Sequence, residues 1–208
     1  MPTRRTLASL LLAAAAAAAL LAACARAEEA PEALILRVSS GVLDTIRADE
    51  AIRQGDLRRV IVLVEEQVMP HVNFQRTTAT ALGRYWRQAT PEQQQRLQQE
   101  FKLLLIRTYA GALMQVEDQT VQLRPARAEP GGDEVVVRTE VRGKGATIEL
   151  DYRLERSTGA WKIYDVNILG LWLAENYRSV FAQDIGAVGI DGLIAKLAER
   201  NRAAAAKS

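Results

Sequence analysis

The chain has 208 residues, of which 49% are hydrophobic and 25% charged, and this is enough for one domain with a substantial core. Lysine and arginine (27) nearly balance aspartate and glutamate (25), which leaves no electrostatic case for binding nucleic acid or an anionic membrane surface. A single cysteine, Cys24, excludes a fold held by disulfides.

Residues 1–27 have the features of an export signal. Arg4 and Arg5 supply the charged start, Leu7–Leu21 is an apolar run of signal-peptide length, and Ala25-Arg26-Ala27 offers a small-x-small cleavage pattern. Three basic residues lie in this segment, which leaves 24 basic and 25 acidic residues and a mature net charge of about −1. Alternatively, Leu21-Ala22-Ala23-Cys24 is typical of a lipobox, which would make the cysteine a lipidated N-terminus. We expect a signal peptide at 1–27 and a single domain at 28–208.

Apolar residues recur at helical spacings through the first half of the mature chain. The patterns predict helices at Leu34–Arg53, Leu57–Met69, Phe74–Gln88 and Pro91–Leu113. Asp56 is a suitable N-cap for the second helix, and Pro70 ends it. Thr90 and Gln93 have the spacing of a capping box at the start of the fourth, long helix. This long helix is the natural cover for a sheet.

The hydrophobic pattern changes to period two in the second half, which predicts strands. The predicted strands are Val121–Leu123, Glu134–Arg142, Ala146–Glu155 and Trp161–Ile168. Short connections that contain glycine favour an antiparallel meander with one apolar face. In the last strand we expect Tyr164, Val166 and Ile168 to share one face, with Trp161 and Ile163 on the other.

Two further helices are expected to close the chain, one after Gly170 and one from Asp191. Together the elements predict an α+β fold. Its antiparallel four- to five-stranded sheet would be covered on one face by helices, with extra helices at the N-terminus.

Few titratable groups converge in this pattern. The sequence offers no Cys/His or Ser/His/Asp set, no metal-ligand cluster and no Gly-rich phosphate loop. Asp151 and Asp165 lie on neighbouring predicted strands, and paired carboxylates can do acid–base work. Since Asp151 shares a charged face with Glu149 and Arg153, a solvated cross-strand salt bridge is favoured instead. We therefore predict no enzyme, no cofactor and no metal.

Several apolar and aromatic side chains are aimed between the predicted helices and the sheet. They are Phe101, Leu105, Tyr109, Leu150, Tyr152, Tyr164, Val166, Ile168 and Phe181. From the pattern alone, an ordinary filled core is favoured over a ligand cavity.

Six short motifs run in order along nearly the whole mature chain. They are Leu82-Gly83-Arg84-Tyr85-Trp86-Arg87, Thr90-Pro91-Glu92-Gln93, Phe101 with Thr108-Tyr109, Trp161-Lys162-Ile163-Tyr164-Asp165-Val166, Asn176-Tyr177-Arg178-Ser179 with Phe181, and Gly189-Ile190-Asp191-Gly192-Leu193-Ile194. Their order resembles the MlaC family of periplasmic phospholipid-binding proteins, also described as toluene-tolerance auxiliary proteins of an ABC transport system. Leu169-Gly170-Leu171-Trp172 departs from the Glu-Gly-Val-Ser usual in that family, and the lipobox is a second departure.

The resemblance implies an NTF2-like cone with a lipid cavity between sheet and helices. The nine side chains named above would then hold the acyl tails of a phospholipid. It also implies a carrier between an outer-membrane lipoprotein–porin complex and an inner-membrane MCE-domain ABC transporter, which maintains the lipid asymmetry of the outer membrane. The alternative is a small-ligand-binding or enzymatic domain of the same fold in the cell envelope.

Overall fold

A short break divides the first predicted helix in two. The structure, a computed structural model, describes residues 29–125, 132–157 and 159–206. Helix α1 spans Pro31–Ala48 and α2 spans Glu50–Arg53. Between them Asp49 is extended, and its carboxylate accepts hydrogen bonds from the backbone N–H groups of Ala51 (3.0 Å) and Ile52 (3.2 Å). An aspartate that caps a new helix ends the previous one, so the prediction of one helix over Leu34–Arg53 is wrong at this point.

The second predicted helix begins where the sequence indicates, but its α-helical part ends before the predicted stop at Pro70. Helix α3 spans Leu57–Leu63 and continues as a π turn, Val64–Val68, and a 3₁₀ turn, Met69–His71. Asp56 caps it by accepting a hydrogen bond from the N–H of Arg58 at 2.9 Å.

The third predicted helix is interrupted at a glycine. Helix α4 spans Phe74–Leu82, and a 3₁₀ turn follows at Gly83–Gln88. Gly83 has φ +56°, a conformation that L side chains rarely adopt. A Cβ atom there would meet nothing closer than 3.8 Å, so the glycine is needed for the turn and not for a close approach.

The long helix is confirmed. Helix α5 spans Pro91–Leu113, and Thr90 and Gln93 form both hydrogen bonds of the predicted capping box, at 3.0 and 3.2 Å.

The sheet is an antiparallel meander of five strands in the order β1-β2-β3-β4-β5. The strands are β1 Thr120–Leu123, β2 Glu134–Arg142, β3 Ile148–Ser157, β4 Ala160–Ile168 and β5 Leu171–Trp172. Val137 and Thr139 are buried on one face, called here the inner face, whereas Val136 on the outer face is 37% exposed. The predicted α+β fold and its one-sided sheet are confirmed.

Helix α1, and not α5, packs against the inner face. Its Leu34, Ile35 and Val38 form one core with residues of β2, β3 and β4. Leu97 and Phe101 of α5 instead pack with α4 and α6 in a second core. The expectation that the long helix covers the sheet is therefore wrong, because the apolar side of α5 is occupied by other helices.

The last helix contains a sharp break. Helix α6 spans Leu173–Ala205, but Gly189 within it has φ 75° and ψ 176°. The backbone therefore forms two helical segments, as predicted. Among the described residues, no helix combines the length and the hydropathy that crossing a membrane requires.

Gly189→Ala should destabilise the fold by about 1–3 kcal/mol, because an alanine cannot adopt this backbone conformation without strain. Gly186→Ala, in the same helix and equally open to a Cβ atom, is the matched control. It should leave the free energy of unfolding unchanged or raise it by about 0.5–1 kcal/mol. Urea denaturation of both variants measures the difference, and equal effects would contradict the assignment of strain to position 189.

Candidate functional site

The nine side chains expected to share one interior lie in three different places. Leu150, Tyr152, Val166 and Ile168 lie on the inner face of the sheet, Phe101, Leu105, Tyr109 and Phe181 belong to the helices α5 and α6, and Tyr164 lies on the outer face. Phe101, Phe181 and Leu105 pack in the core of the helices, whereas Tyr152 and Val166 pack against the core that α1 shares with the sheet.

The inner-face group is apolar but incompletely buried. In the register of β3 and β4, Tyr152 lies opposite Val166 and Leu150 lies opposite Ile168. All four side chains keep part of their surface exposed, in contrast to Leu154, which is 0% exposed next to α1. Burial raises the pKa of Tyr152, whereas its hydrogen bonds with Ser39 and Thr139 lower it.

The apolar inner face continues to an exposed rim. Leu171 lies opposite Ile168, and Ile148 lies two residues before Leu150 on the same face. Leu171 is 61% and Ile148 39% exposed, and Leu169 in the turn between β4 and β5 is 67% exposed. Leu169 has φ +52°, which for a leucine costs about 1–2 kcal/mol. The sheet thus presents a continuous apolar strip from its buried end to solvent.

Helix α5 contributes two half-buried side chains. Leu105 packs against the core of the helices, and Tyr109 lies near Tyr177 of α6. Burial and the neighbouring Tyr177 both raise the pKa of Tyr109. A phenol that is partly buried among apolar groups has the mixed character common at lipid-facing surfaces.

Phe101 and Phe181 instead fill the core of the helices. They are 0% and 2% exposed, and their rings contact at 5.1 Å in an edge-to-face arrangement. Tyr177 lies 5.0 Å and Phe74 5.8 Å from the Phe101 ring. Aromatic pairs at these distances stabilise a closed core, and in this conformation the two phenylalanines offer no surface to a ligand.

Tyr164 lies on the face opposite to Val166 and Ile168, because β4 contains a bulge. Arg153 pairs with Asp165 and Leu154 with Ile163, which leaves Tyr164 as the extra residue. Its hydroxyl donates a hydrogen bond to Glu134 at 2.9 Å, and the Arg76 guanidinium lies 3.6 Å from the centre of its ring. Burial and the bond to Glu134 raise the pKa of Tyr164 to about 12. The prediction that it shares a face with Val166 is wrong.

Sequence reasoning missed the bulge because strict alternation places Ile163 and Trp161 opposite to Val166. In the structure Trp161, Ile163, Val166 and Ile168 share the inner face, where the first two pack against α1. The sequence does contain a signal for the bulge. If one extra residue follows Ile163, the apolar side chains of β4 fall on one face and the polar Asp165 and Asn167 fall on the other.

A polar joint on the outer face fixes the start of α6. Asp165 is 2% exposed and accepts hydrogen bonds from the N–H groups of Val166 (2.9 Å) and Ala174 (3.0 Å). Arg153 lies 3.5 Å from Asp165, 2.7 Å from Glu175 of α6, and 3.9 Å from the centre of the Trp172 ring. Burial raises the pKa of Asp165, and the two backbone hydrogen bonds and Arg153 partly oppose that shift.

This joint is structural in character. Asp165 serves as the cap of a helix, and one side-chain oxygen of Asp151 is buried without a hydrogen-bond partner among the described residues. The described residues contain no group of three His, Cys, Asp or Glu side chains arranged to hold a metal ion.

A cavity of about 760 Å³ lies elsewhere, between the α2–α3 turn, α5 and the end of α6. None of the nine predicted side chains lines it.

Comparisons with known proteins agree on one relationship. The family model described as MlaC protein matches residues 36–199. The toluene tolerance protein ttg2D of Pseudomonas putida is 33% identical over 127 residues, which cover 58% of this chain and 59% of the relative. The intermembrane phospholipid transport system binding protein MlaC of Haemophilus influenzae is 24% identical over 177 residues, which cover 83% of each chain.

A solved structure is similar over nearly the same span. It is the phospholipid-binding protein from Ralstonia solanacearum in complex with a phospholipid, at 47% identity and a TM-score of 0.81. The match covers 86% of this chain and 99% of the other.

Asp165→Ala should lower the free energy of unfolding by about 2–3 kcal/mol, because two backbone N–H groups and Arg153 lose their buried acceptor. Asp151→Asn should change it by less than about 1 kcal/mol, because that carboxylate has an oxygen with no partner to lose. Urea denaturation at neutral pH checks both variants. A gain in stability for Asp165→Ala, as is common when a catalytic acid is removed, would contradict the structural role.

Proposed function

The chain belongs to the MlaC family, and from this membership and its uncovered apolar strip we propose that it is a periplasmic phospholipid carrier. The strip on the inner sheet face carries the proposal, since it remains partly exposed where a filled core would bury it. The phospholipid bound by the Ralstonia relative supports it, because that chain is 47% identical over almost its whole length.

The proposed ligand matches the chemistry of the strip. A glycerophospholipid has about 30 tail methylenes, and at about 0.8 kcal/mol each their removal from water is worth on the order of 25 kcal/mol. Aliphatic and tyrosine side chains with few polar atoms are suited to bind acyl tails. Such side chains would select weakly between phospholipid headgroups.

We assign the acyl tails to six of the nine predicted side chains. They are Leu105, Tyr109, Leu150, Tyr152, Val166 and Ile168, with Ile148 and Leu171 at the exposed rim. Phe101 and Phe181 are buried in the core of the helices and Tyr164 lies on the outer face, so these three have no direct role in tail binding.

The place of this carrier follows from the family relationship. The segment 1–27, which lies outside the described residues, would direct export to the periplasm. There the protein would exchange phospholipid with an outer-membrane lipoprotein–porin complex and an inner-membrane MCE-domain ABC transporter, and so maintain the lipid asymmetry of the outer membrane. This role requires no catalysis.

Val166→Arg should lower the phospholipid content of the purified protein at least about tenfold, because a guanidinium would have to lie among acyl tails. Tyr109→Glu should act in the same direction from the side of α5. Native mass spectrometry and lipid extraction measure the content, and circular dichroism checks the fold.

The matched control is Val136→Arg, the same substitution on the outer face of β2, where valine is already 37% exposed. It should retain the wild-type lipid content. Normal lipid content in both Val166→Arg and Tyr109→Glu would overturn the assignment of the strip. Wild-type protein that carries a small polar ligand and no phospholipid would favour the alternative of a small-ligand domain.

A further inference from the structure

The cavity of about 760 Å³ behind α5 has the size of a small-molecule pocket. Its lining comes from the α2–α3 turn, α3, α5 and the end of α6. The lining residues are Ala51, Gln54, Gly55, Asp56, Leu57, Arg58, Ile61, Arg107 and Ala205.

Arg107 is the unusual member of this lining. Its Nε and Nη1 atoms are buried and have no hydrogen-bond partner among the described residues. Arg107 as a whole is only partly buried, but two of its three guanidinium nitrogens are shielded from solvent. A buried donor without an acceptor is costly, and more so on a charged group, so these two nitrogens offer a place for the oxygen atoms of an anion.

The cavity is separate from the strip proposed for acyl tails. Arg107 is two residues from Leu105 and from Tyr109, so at 3.6 residues per turn it projects about 200° away from each. The helix itself therefore lies between the two surfaces.

The other lining residues indicate the chemical class of the ligand. Ala51, Leu57, Ile61 and Ala205 supply apolar wall, and Arg58 adds a second cation with an exposed side chain. The one acid in the lining, Asp56, accepts hydrogen bonds from the backbone N–H groups of Arg58 and Arg59, and the Nε atom of Arg58 lies 3.9 Å from it. Guanidinium groups bind carboxylate and phosphate oxygens in a fork geometry.

We propose that this cavity is a second binding site, for a single-chain anionic amphiphile whose carboxylate or phosphate pairs with Arg107. The apolar part of the ligand lies against Leu57, Ile61 and Ala205. This site is independent of the phospholipid strip and does not require that proposal to be correct.

The test is calorimetric titration of the full-length protein, as purified, with decyl phosphate and separately with inorganic phosphate. We expect one molecule of decyl phosphate to bind, and inorganic phosphate to bind at least about tenfold more weakly because it lacks the apolar part. Arg107→Met should weaken decyl phosphate at least about tenfold, since it keeps most of the apolar stem and removes the charge.

Arg96→Met is the matched control, because Arg96 lies on the same side of α5 three turns earlier and is exposed. It should leave the affinity unchanged. Ala205→Trp, at the last residue of α6, should fill the cavity and abolish binding, and urea denaturation checks that the fold is retained.

Two outcomes would overturn the site, and a third would overturn its ligand. One is equal affinity in wild type and Arg107→Met. The other is binding that Val166→Arg abolishes and Ala205→Trp leaves intact, which would place decyl phosphate on the inner sheet face. Equal binding of inorganic and decyl phosphate would overturn the amphiphile and leave an anion site alone.

Discussion

The packing of α1 against one end of the inner sheet face is the constraint on which the rest of the structure depends. Leu34, Ile35 and Val38 bury Val137 and Leu154, so that end is a closed core. The same apolar face continues beyond α1 to Ile168 and Leu171 with partial and then high exposure. A sheet with one apolar face must bury it against another layer, and here the layer ends before the face does. In the proposed function, hydrocarbon chains complete the burial.

The helices can leave this face uncovered because they are stabilised among themselves. Phe101, Tyr177 and Phe181 close their core with ring contacts of 5.0–5.4 Å. Polar groups on two strands attach α6 to the sheet: Asp165 of β4 caps the helix, and Arg153 of β3 bridges to Glu175. The interior has three hydrophobic clusters: one of α4, α5 and α6, one of α1 with β2, β3 and β4, and one in which α1, α3 and α5 pack together. Since each helix has apolar partners within these clusters, the helices do not have to collapse onto the rest of the sheet. This arrangement differs from a single filled core, which the sequence pattern favoured.

Local features of the fold could be predicted from the sequence, because they depend on neighbouring residues. The caps at Asp56 and Thr90 and the meander follow from short-range chemistry and from period-two patterns. The bulge at Tyr164 could not be read from alternation, since it is fixed by Glu134 and Arg76, which are distant in sequence. The sequence pattern also does not decide which helix covers the sheet, because α1 and α5 both carry an apolar side. That choice depends on tertiary packing. The inner-face residues of the strip were therefore predicted correctly on β3, but only some of them were predicted on β4.

The two sides of helix α5 have different chemical surroundings. Leu105 and Tyr109 are half-buried side chains whose exposed parts are mostly apolar. A bound hydrocarbon chain would recover most of the free energy that this exposure costs. Arg107, on the opposite side, leaves two donor nitrogens buried and unpaired, and no apolar ligand can recover that cost. The two sides therefore select different chemistry: one needs methylene groups, and the other needs oxygen atoms with negative charge. An apolar chain alone would therefore satisfy the side of Leu105 and Tyr109, whereas the side of Arg107 also requires an anionic group.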